Sequence, residues 1–245
     1  MAMQTTNMSK PSLDVTSSTE SWQQQTIRWP AKGRVILAHH DDQHIVVYQA
    51  FRSEIAEWAV KHQLFGGPHW SPHRMTWTKT NFLWMMYRCG WATKDDRQSN
   101  VLAITITRDA FETLLGNAWN HSWSQGSGIY QSKEEWLSTK PPKKEGVRVQ
   151  WDPDHDPVGK SQQRKAIQIG IAPDMVEKVW NTTHCIKHIQ DITDFVKKQR
   201  VKRSRADAHT DYASWMMDET FMLPKETVYI VKDKTLIDRL QITTV

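Results

Sequence analysis

The chain has few cysteines, glycines and prolines for its length, and it has no long apolar run. Only two cysteines, Cys89 and Cys185, occur in 245 residues, and neither has a CxxC partner, which excludes zinc ribbons and dithiol redox motifs. Ten glycines and ten prolines exclude collagen-like and Pro/Gly-rich disordered classes. The longest apolar run, residues 82–87, is far shorter than the ~18 residues of a membrane span. The sequence therefore predicts a soluble protein with a packed core.

Fingerprints of common cofactor and hydrolase sites are missing as well. The sequence contains no G-x-G-x-x-G, no P-loop, no G-x-S-x-G and no H-E-x-x-H. Histidines and aspartates cluster at residues 39–44 and 152–156, but neither cluster has a recognised metal-ligand spacing. We interpret both as solvated turns and predict no metal site.

The first 25 residues are polar and rich in Ser, Thr and Gln, with no apolar segment of a secretory signal. Because they contain few large apolar side chains to bury, we predict a disordered leader over residues 1–25 and a single globular domain over 26–245. Without a signal, the expected location is the cytoplasm or the nucleus, where thiols stay reduced.

The apolar pattern from residue 27 onward switches between strand and helix periods. Residues 34–38 and 44–51 are rich in β-branched and aromatic side chains and predict a hairpin, followed by a helix that begins near Ser53. Further predicted elements are a strand at 75–78, a buried helix at 81–89, a strand at 101–107 with a helix after it, strands at 147–151 and 166–171, helical or mixed structure at 174–180 and 186–200, and a strand at 227–231. This order predicts an α+β fold, a mixed or antiparallel sheet flanked by helices.

Two features are present in excess: basic charge and tryptophan. Lys and Arg number 32 against 27 Asp and Glu, and the 13 tryptophans exceed both the six phenylalanines and the five tyrosines. Residues 197–205 form one basic run, which could contact phosphates, act as a nuclear-import signal or simply cover a solvated helix end. The candidate nucleic-acid contacts in this run are Lys197, Lys198, Arg200, Lys202, Arg203 and Arg205.

One buried amide and two of three neighbouring tryptophans are candidates for a binding site. Gln49 is in phase with apolar neighbours on its predicted strand, so its amide needs partners, either structural ones or a ligand at the mouth of a cleft. Trp84 is expected in the core. Trp77 and Trp91 stand at element ends, where an indole can either pack inside or stack on a base.

Several segments resemble an uncharacterised family, domain of unknown function 4291. The resemblance is strongest in NFLWMMYRCGWATK at 81–94, and it continues in VYQAF at 47–51, VLAITITR at 101–108, VQWDP at 149–153, IQIG at 167–170 and LPKE at 223–226. It covers about residues 28–229. This chain has Ile36-Leu37-Ala38 where the family pattern has Ile-Arg-Ala. If the family's Arg binds a ligand, its loss implies an altered or inactive protein here.

The order of elements is also similar to that of ADP-ribosyltransferases, although fold order alone does not set function. In this layout Tyr48 and Gln49 stand where the opening Tyr-His motif lies, and Trp77 stands near the aromatic residue of the second motif. The resemblance implies NAD as substrate, bound by Tyr48, Gln49, Trp77 and Gln168. A carboxylate is needed near the positive charge that develops on the ribose, and Glu226 is the candidate.

Three functions thus stay open from the sequence. The first is an NAD-dependent ADP-ribosyltransferase-like enzyme, or a derivative that binds NAD or another nucleotide. The second is a nucleic-acid-binding protein without catalysis, using the basic run and exposed tryptophans. The third is an interaction protein with neither activity.

Overall fold

An eight-stranded mixed sheet runs through the computed structural model, which describes residues 13–122, 130–209 and 221–245, with side chains to residue 203 in the second range. The strands in chain order are β1 (Thr19–Ser21), β2 (Gly33–Arg34), β3 (Leu37–Ala38), β4 (His44–Phe51), β5 (Thr76–Lys79), β6 (Asn100–Thr107), β7 (Ala118–Asn120), β8 (Val147–His155), β9 (Ser161–Ile171), β10 (Ile186–Asp191), β11 (Met222–Pro224) and β12 (Thr227–Val228).

Eight α-helices are found in these ranges. They are α1 (Trp22–Thr26), α2 (Ser53–His62), α3 (Phe82–Cys89), α4 (Arg108–Gly116), α5 (Lys133–Ser138), α6 (Pro173–Met175), α7 (Thr193–His209) and α8 (Lys234–Leu240). A short 3₁₀ turn covers Asp96–Gln98, and a π-helical turn, Val176–Trp180, continues α6. None of the helices in the described part of the chain is both long enough and apolar enough to cross a membrane.

The main sheet has the order β10-β6-β4-β5-β9-β8-β7, and β2 adds a parallel pair to β9. Most neighbours are antiparallel, while β7 and β8 are parallel. Two small pairs, β1 with β11 and β3 with β12, lie outside this sheet. The predicted α+β fold with a mixed sheet flanked by helices is confirmed.

The sheet separates two apolar cores, because successive side chains of a strand point to opposite faces. On β4, Ile45 and Val47 belong to one core, while Val46 and Tyr48 belong to the other. Helix α3 packs in the second core, where Phe82 makes an edge contact with Tyr48. The strand alternation therefore decides which residues of β4 face α3.

Helix α3 begins and ends where the sequence predicts. The side chain of Asn81 accepts a hydrogen bond from the backbone N–H of Trp84 at 2.7 Å, and Gly90 ends the helix in the left-handed region. Trp84 and Met85 are buried, as predicted. Tyr87 is half exposed and Arg88 is exposed, so α3 presents one polar edge rather than being buried all round.

The predicted disorder of residues 1–25 is wrong for residues 13–25. This segment forms β1 and α1, and it buries Val15 and Trp22. Ser21 and Gln24 form a capping box at the start of α1. A few well-placed apolar residues thus anchor a segment whose average composition is polar.

Other differences come from pairing that is distant in sequence. The predicted hairpin of 34–38 with 44–51 is reduced to a single bridge between His40 and Ile45, because β3 pairs with β12 near the end of the chain. The 186–200 region divides into β10 and α7, and a bulge after Ile186 interrupts the strand period. Strand β8 continues to His155, through most of the predicted turn at 152–157.

A cationic cleft as the candidate functional site

A broad cleft opens where β4 and β5 diverge. The two strands share one register pair, Tyr48 with Lys79. The cleft has a volume of about 710 Å³. It is lined from β4, α2, β5, α3, β9, the loop before β5 and the 3₁₀ turn.

The charge of the cleft has one sign. Five of its lining residues are cationic and, within the described ranges, none is acidic; the cations are Arg52, Arg74, Lys79, Arg88 and Arg97. Acids outside the lining reduce this charge in part, and Asp152 does so at Lys79. Asp95 pairs with Arg97 at 3.6 Å, and Glu54 acts on Arg52. Because charges of one sign in a low-dielectric cleft reinforce each other, the cleft attracts anions.

Lys79 is the buried member of this set, with 4% of its surface exposed. Its side chain has no ion pair in the part of the chain that the structure describes. Burial, together with the nearby Arg88, lowers the pKa of Lys79 to about 8, while Asp152 opposes the shift. An ammonium in this position is stabilised when an anion enters the cleft.

Gln49 also lines the cleft and is only 2% exposed. Its amide nitrogen donates to the Thr76 hydroxyl at 2.7 Å and to the Trp77 carbonyl at 3.0 Å, which ties β4 to β5 where they diverge. Its amide oxygen is buried without a protein partner. The nitrogen thus has a structural role, and the oxygen is left as an acceptor for a ligand N–H.

Two tryptophans add aromatic surface to the same cleft. Trp77 pairs with Gly170 across β5 and β9, and a methyl group at Gly170 would lie 2.7 Å from the indole ring. The glycine therefore lets the ring lie flat against the sheet. Trp70 stacks on Phe65, with ring centres 5.7 Å apart. Both indoles are partly exposed, so each can contact a planar ligand.

The structure brings together three of the five residues that the NAD hypothesis names. Gln49, Trp77 and Gln168 all line the cleft. Gln168 pairs with Lys79 across β5 and β9, so these two side chains share a face. Tyr48 points to the opposite face from Gln49 and is fully buried against α3, where burial raises the pKa of its hydroxyl well above the usual value.

Glu226 lies away from the cleft, buried at the start of α3. One oxygen accepts the backbone N–H of Phe82 at 2.7 Å, and the other accepts the Asn81 amide at 3.3 Å. Burial raises the pKa of Glu226 well above its usual range. Gln25 and Trp29 hold the Glu226 backbone at 2.7 and 2.9 Å. These contacts stabilise the fold and do not direct the carboxylate at a ligand.

The basic run on α7 forms a separate feature, since none of its residues with a described side chain, 197–203, lines the cleft. Lys197 and Lys198 are exposed, and Lys197 lies 3.8 Å from Asp194. Arg200 donates to the Trp91 carbonyl at 3.2 Å, and Arg203 lies over the Trp91 ring. The Arg205 side chain lies outside the described residues. Trp91 itself is buried, which confirms the packing alternative for that residue.

Sequence reasoning missed Lys79 and the arginines of the cleft. A usable signal was present in β5, because strand alternation places Lys79 on the same face as Trp77. Arg88 follows Met85 by three residues and so shares its helix face. The arginines at 52, 74 and 97 lie in loops or at element ends. Only the tertiary structure brings these to one cleft.

The chain belongs to the family described as domain of unknown function (DUF4291), whose pattern matches residues 35–229. The match includes most of the cleft-forming elements and extends as far as Glu226. A comparison with curated proteins finds no match.

Proposed function

We propose that this member of the DUF4291 family binds a nucleotide in the cationic cleft, with NAD as the first candidate. The observation that carries the proposal is the set of five cationic side chains with no acidic lining residue in the described ranges. Phosphate groups are the common biological ligands of such arginine and lysine clusters.

Two further features favour a nucleotide over a simple phosphate. The indoles of Trp70 and Trp77 provide flat apolar surface for a base, as in other sites that stack nucleobases. The unpartnered oxygen of Gln49 can accept an N–H from the adenine amino group or from the nicotinamide carboxamide. Phosphate, ring and amide contacts thus lie within one cleft.

The proposal concerns binding first and ADP-ribosyl transfer second. Cleavage of the nicotinamide–ribose bond needs negative charge near the ribose. Glu226 is buried under α3 and accepts two hydrogen bonds there, so its carboxylate is already used. Release of nicotinamide from NAD measures this second step separately from binding.

The test is calorimetric titration of the full chain with NAD, ATP and adenosine. We expect NAD and ATP to bind, and adenosine to bind at least about tenfold more weakly, because charge-assisted contacts contribute about 1.5–3 kcal/mol each. Equal affinity for adenosine and ATP, or no binding by either phosphate ligand, would contradict the proposal.

Three variants locate the binding site. Arg88→Ala should weaken ATP binding, whereas Arg28→Ala, at a half-exposed arginine outside the cleft, should leave it unchanged. Gly170→Ala should also weaken NAD binding, because the added methyl group displaces the Trp77 ring. Equal effects of Arg88→Ala and Arg28→Ala would place the site elsewhere.

The nucleic-acid alternative is less favoured by the structure. Two of the six candidate basic residues, Arg200 and Arg203, contact Trp91. Among the described tryptophans, Trp58 is the exposed one, and it stacks on His62 of the same helix. Transfer RNA and single-stranded DNA belong in the same titration series, because a higher affinity for either than for ATP would reverse this preference.

A further inference from the structure

We propose that Lys79 is a nucleophilic amine that forms an imine with the aldehyde group of a phosphorylated ligand bound in the cleft. The inference rests on the proposed function, since the same cations hold the phosphate. It adds a covalent reaction and a chemical class of ligand to that function.

The first argument is the position of the amine. Lys79 lines the cleft, is 4% exposed, and its side chain has no ion pair within the described ranges. Lysines that are structurally required in an interior are normally paired with an acid, because an unpaired buried charge is costly. An unpaired amine at the end of an open cleft is instead available to a ligand.

The second argument is the protonation state that the surroundings favour. Arg88 and Cys89 of α3 and Asp152 of β8 are the titratable groups that act on Lys79. With a pKa of about 8, about a quarter of Lys79 side chains are neutral at pH 7.5, against about one in a thousand for an ordinary lysine. Desolvation beside another cation is a known way to activate a lysine.

The third argument is the ligand class. An imine-forming partner must carry a carbonyl, and the remaining cations of the cleft select a ligand that is also anionic. Phosphorylated aldehydes satisfy both requirements, and they include the open-chain form of a nucleotide-linked sugar with a free anomeric carbon. Gln168 pairs with Lys79 in the sheet and offers an uncharged hydrogen-bonding group beside the reacting atoms.

The reaction balances without any further oxidant. The neutral Nζ adds to the carbonyl carbon, the carbonyl oxygen takes up protons and leaves as water, and a C=N bond forms. Cyanoborohydride, added only as a trapping reagent, then delivers hydride to that carbon and leaves a stable secondary amine on Lys79.

The experiment incubates the full chain with pyridoxal 5′-phosphate or ADP-ribose plus cyanoborohydride and maps adducts by peptide mass spectrometry. Pyridoxal and ribose serve as the phosphate-free controls. We expect Lys79 to be labelled about a hundredfold faster than any other lysine, in line with its larger neutral fraction. ATP should protect it, and the rate should reach half its maximum near pH 8. Labelling by ADP-ribose but not pyridoxal 5′-phosphate would assign a nucleotide sugar, and the reverse a smaller aldehyde.

Matched variants complete the test. Lys79→Arg keeps the positive charge but cannot form the imine, so it should lose the adduct at this position. Lys61→Met, at an exposed lysine of α2, should keep the adduct at Lys79. Adducts spread over surface lysines, with no preference for Lys79, would overturn the inference. If ATP still binds in that case, the proposed function survives, and absence of ATP binding counts against the proposed function itself.

Discussion

The buried carboxyl groups of Glu226 and Asp154 are hydrogen-bonded to other protein groups. Gln49 and Lys79, which are buried in the cationic cleft, instead have polar atoms that are left for a ligand. Asp154 accepts from Arg164 at 2.8 Å and from the His155 backbone at 2.8 Å. Gln49 keeps an unpartnered oxygen in the cleft, and Lys79 has no ion pair among the described residues. Buried polar groups that satisfy each other hold a fold together, while unsatisfied ones destabilise it until a ligand binds.

The largest effect is expected from breaking the buried ion pair of Asp154 with Arg164. Asp154→Ala leaves Arg164 buried and without its carboxylate, which should lower the free energy of unfolding by about 3–5 kcal/mol. Denaturant unfolding measures this loss. Glu20→Ala, at the partly exposed pair with Arg28, is the control and should cost less than about 1 kcal/mol. Similar losses for both would mean that burial of the pair is unimportant.

Substitution of Lys79 in the cleft is expected to stabilise the fold instead. The lowered pKa of Lys79 means that the folded state disfavours its charge, so this cost is fully present below about pH 8 and is gone above the usual lysine value. Lys79→Met should therefore raise the free energy of unfolding by about 3 kcal/mol at pH 7. The gain should shrink between pH 8 and pH 10.5. A destabilised Lys79→Met at neutral pH would show that the ammonium has a structural partner.

Replacing Glu226 tests whether its side chain has a structural role. Glu226→Ala leaves the Phe82 N–H and the Asn81 amide unpaired in the interior, which should cost about 2–4 kcal/mol at one to two kcal/mol for each buried donor. Nucleotide affinity of the folded fraction should not change. Loss of affinity without loss of stability would return Glu226 to the candidate site.

Titration of Glu226 should make the free energy of unfolding depend on pH, and this effect is smaller than that of removing the side chain. Because burial raises the pKa of Glu226, the folded state retains its proton above the unfolded value. Its contribution to stability is therefore complete below about pH 4.5 and is lost as the pH rises through the folded value. Glu226→Gln cannot titrate, so its stability relative to the natural chain should increase as the pH rises above 4.5. If the free energy of unfolding of the two proteins changed in parallel with pH, the raised pKa of Glu226 would be contradicted.

The smallest effect is expected at the basic run. If Lys197, Lys198 and Lys202 contact phosphates, replacing all three by Ala should reduce the slope of log affinity for duplex DNA against log salt by about 0.9 for each lost contact. We expect little change for ATP, because these residues do not line the cleft. An unchanged slope for DNA would identify the run as a solvated face of α7.

Local patterns predicted the elements that are specified by neighbours in sequence. Asn81 and Gly90 bound α3 because capping and the left-handed conformation are local properties. The alternation of β4 placed Gln49 among apolar residues, where it is found. Composition was a poorer guide for residues 13–25, since this largely polar segment buries Leu13, Val15 and Trp22.

By itself, the amino-acid sequence determined the α+β class and the position of α3, and it named Gln49, Trp77 and Gln168, which all line the cleft. Only the tertiary structure decided that Lys79 and four arginines join them, and that Glu226 supports α3 instead. The physical reason is that caps and strand periods depend on adjacent residues. The charge and accessibility of a cleft depend instead on side chains that long-range strand pairing brings together.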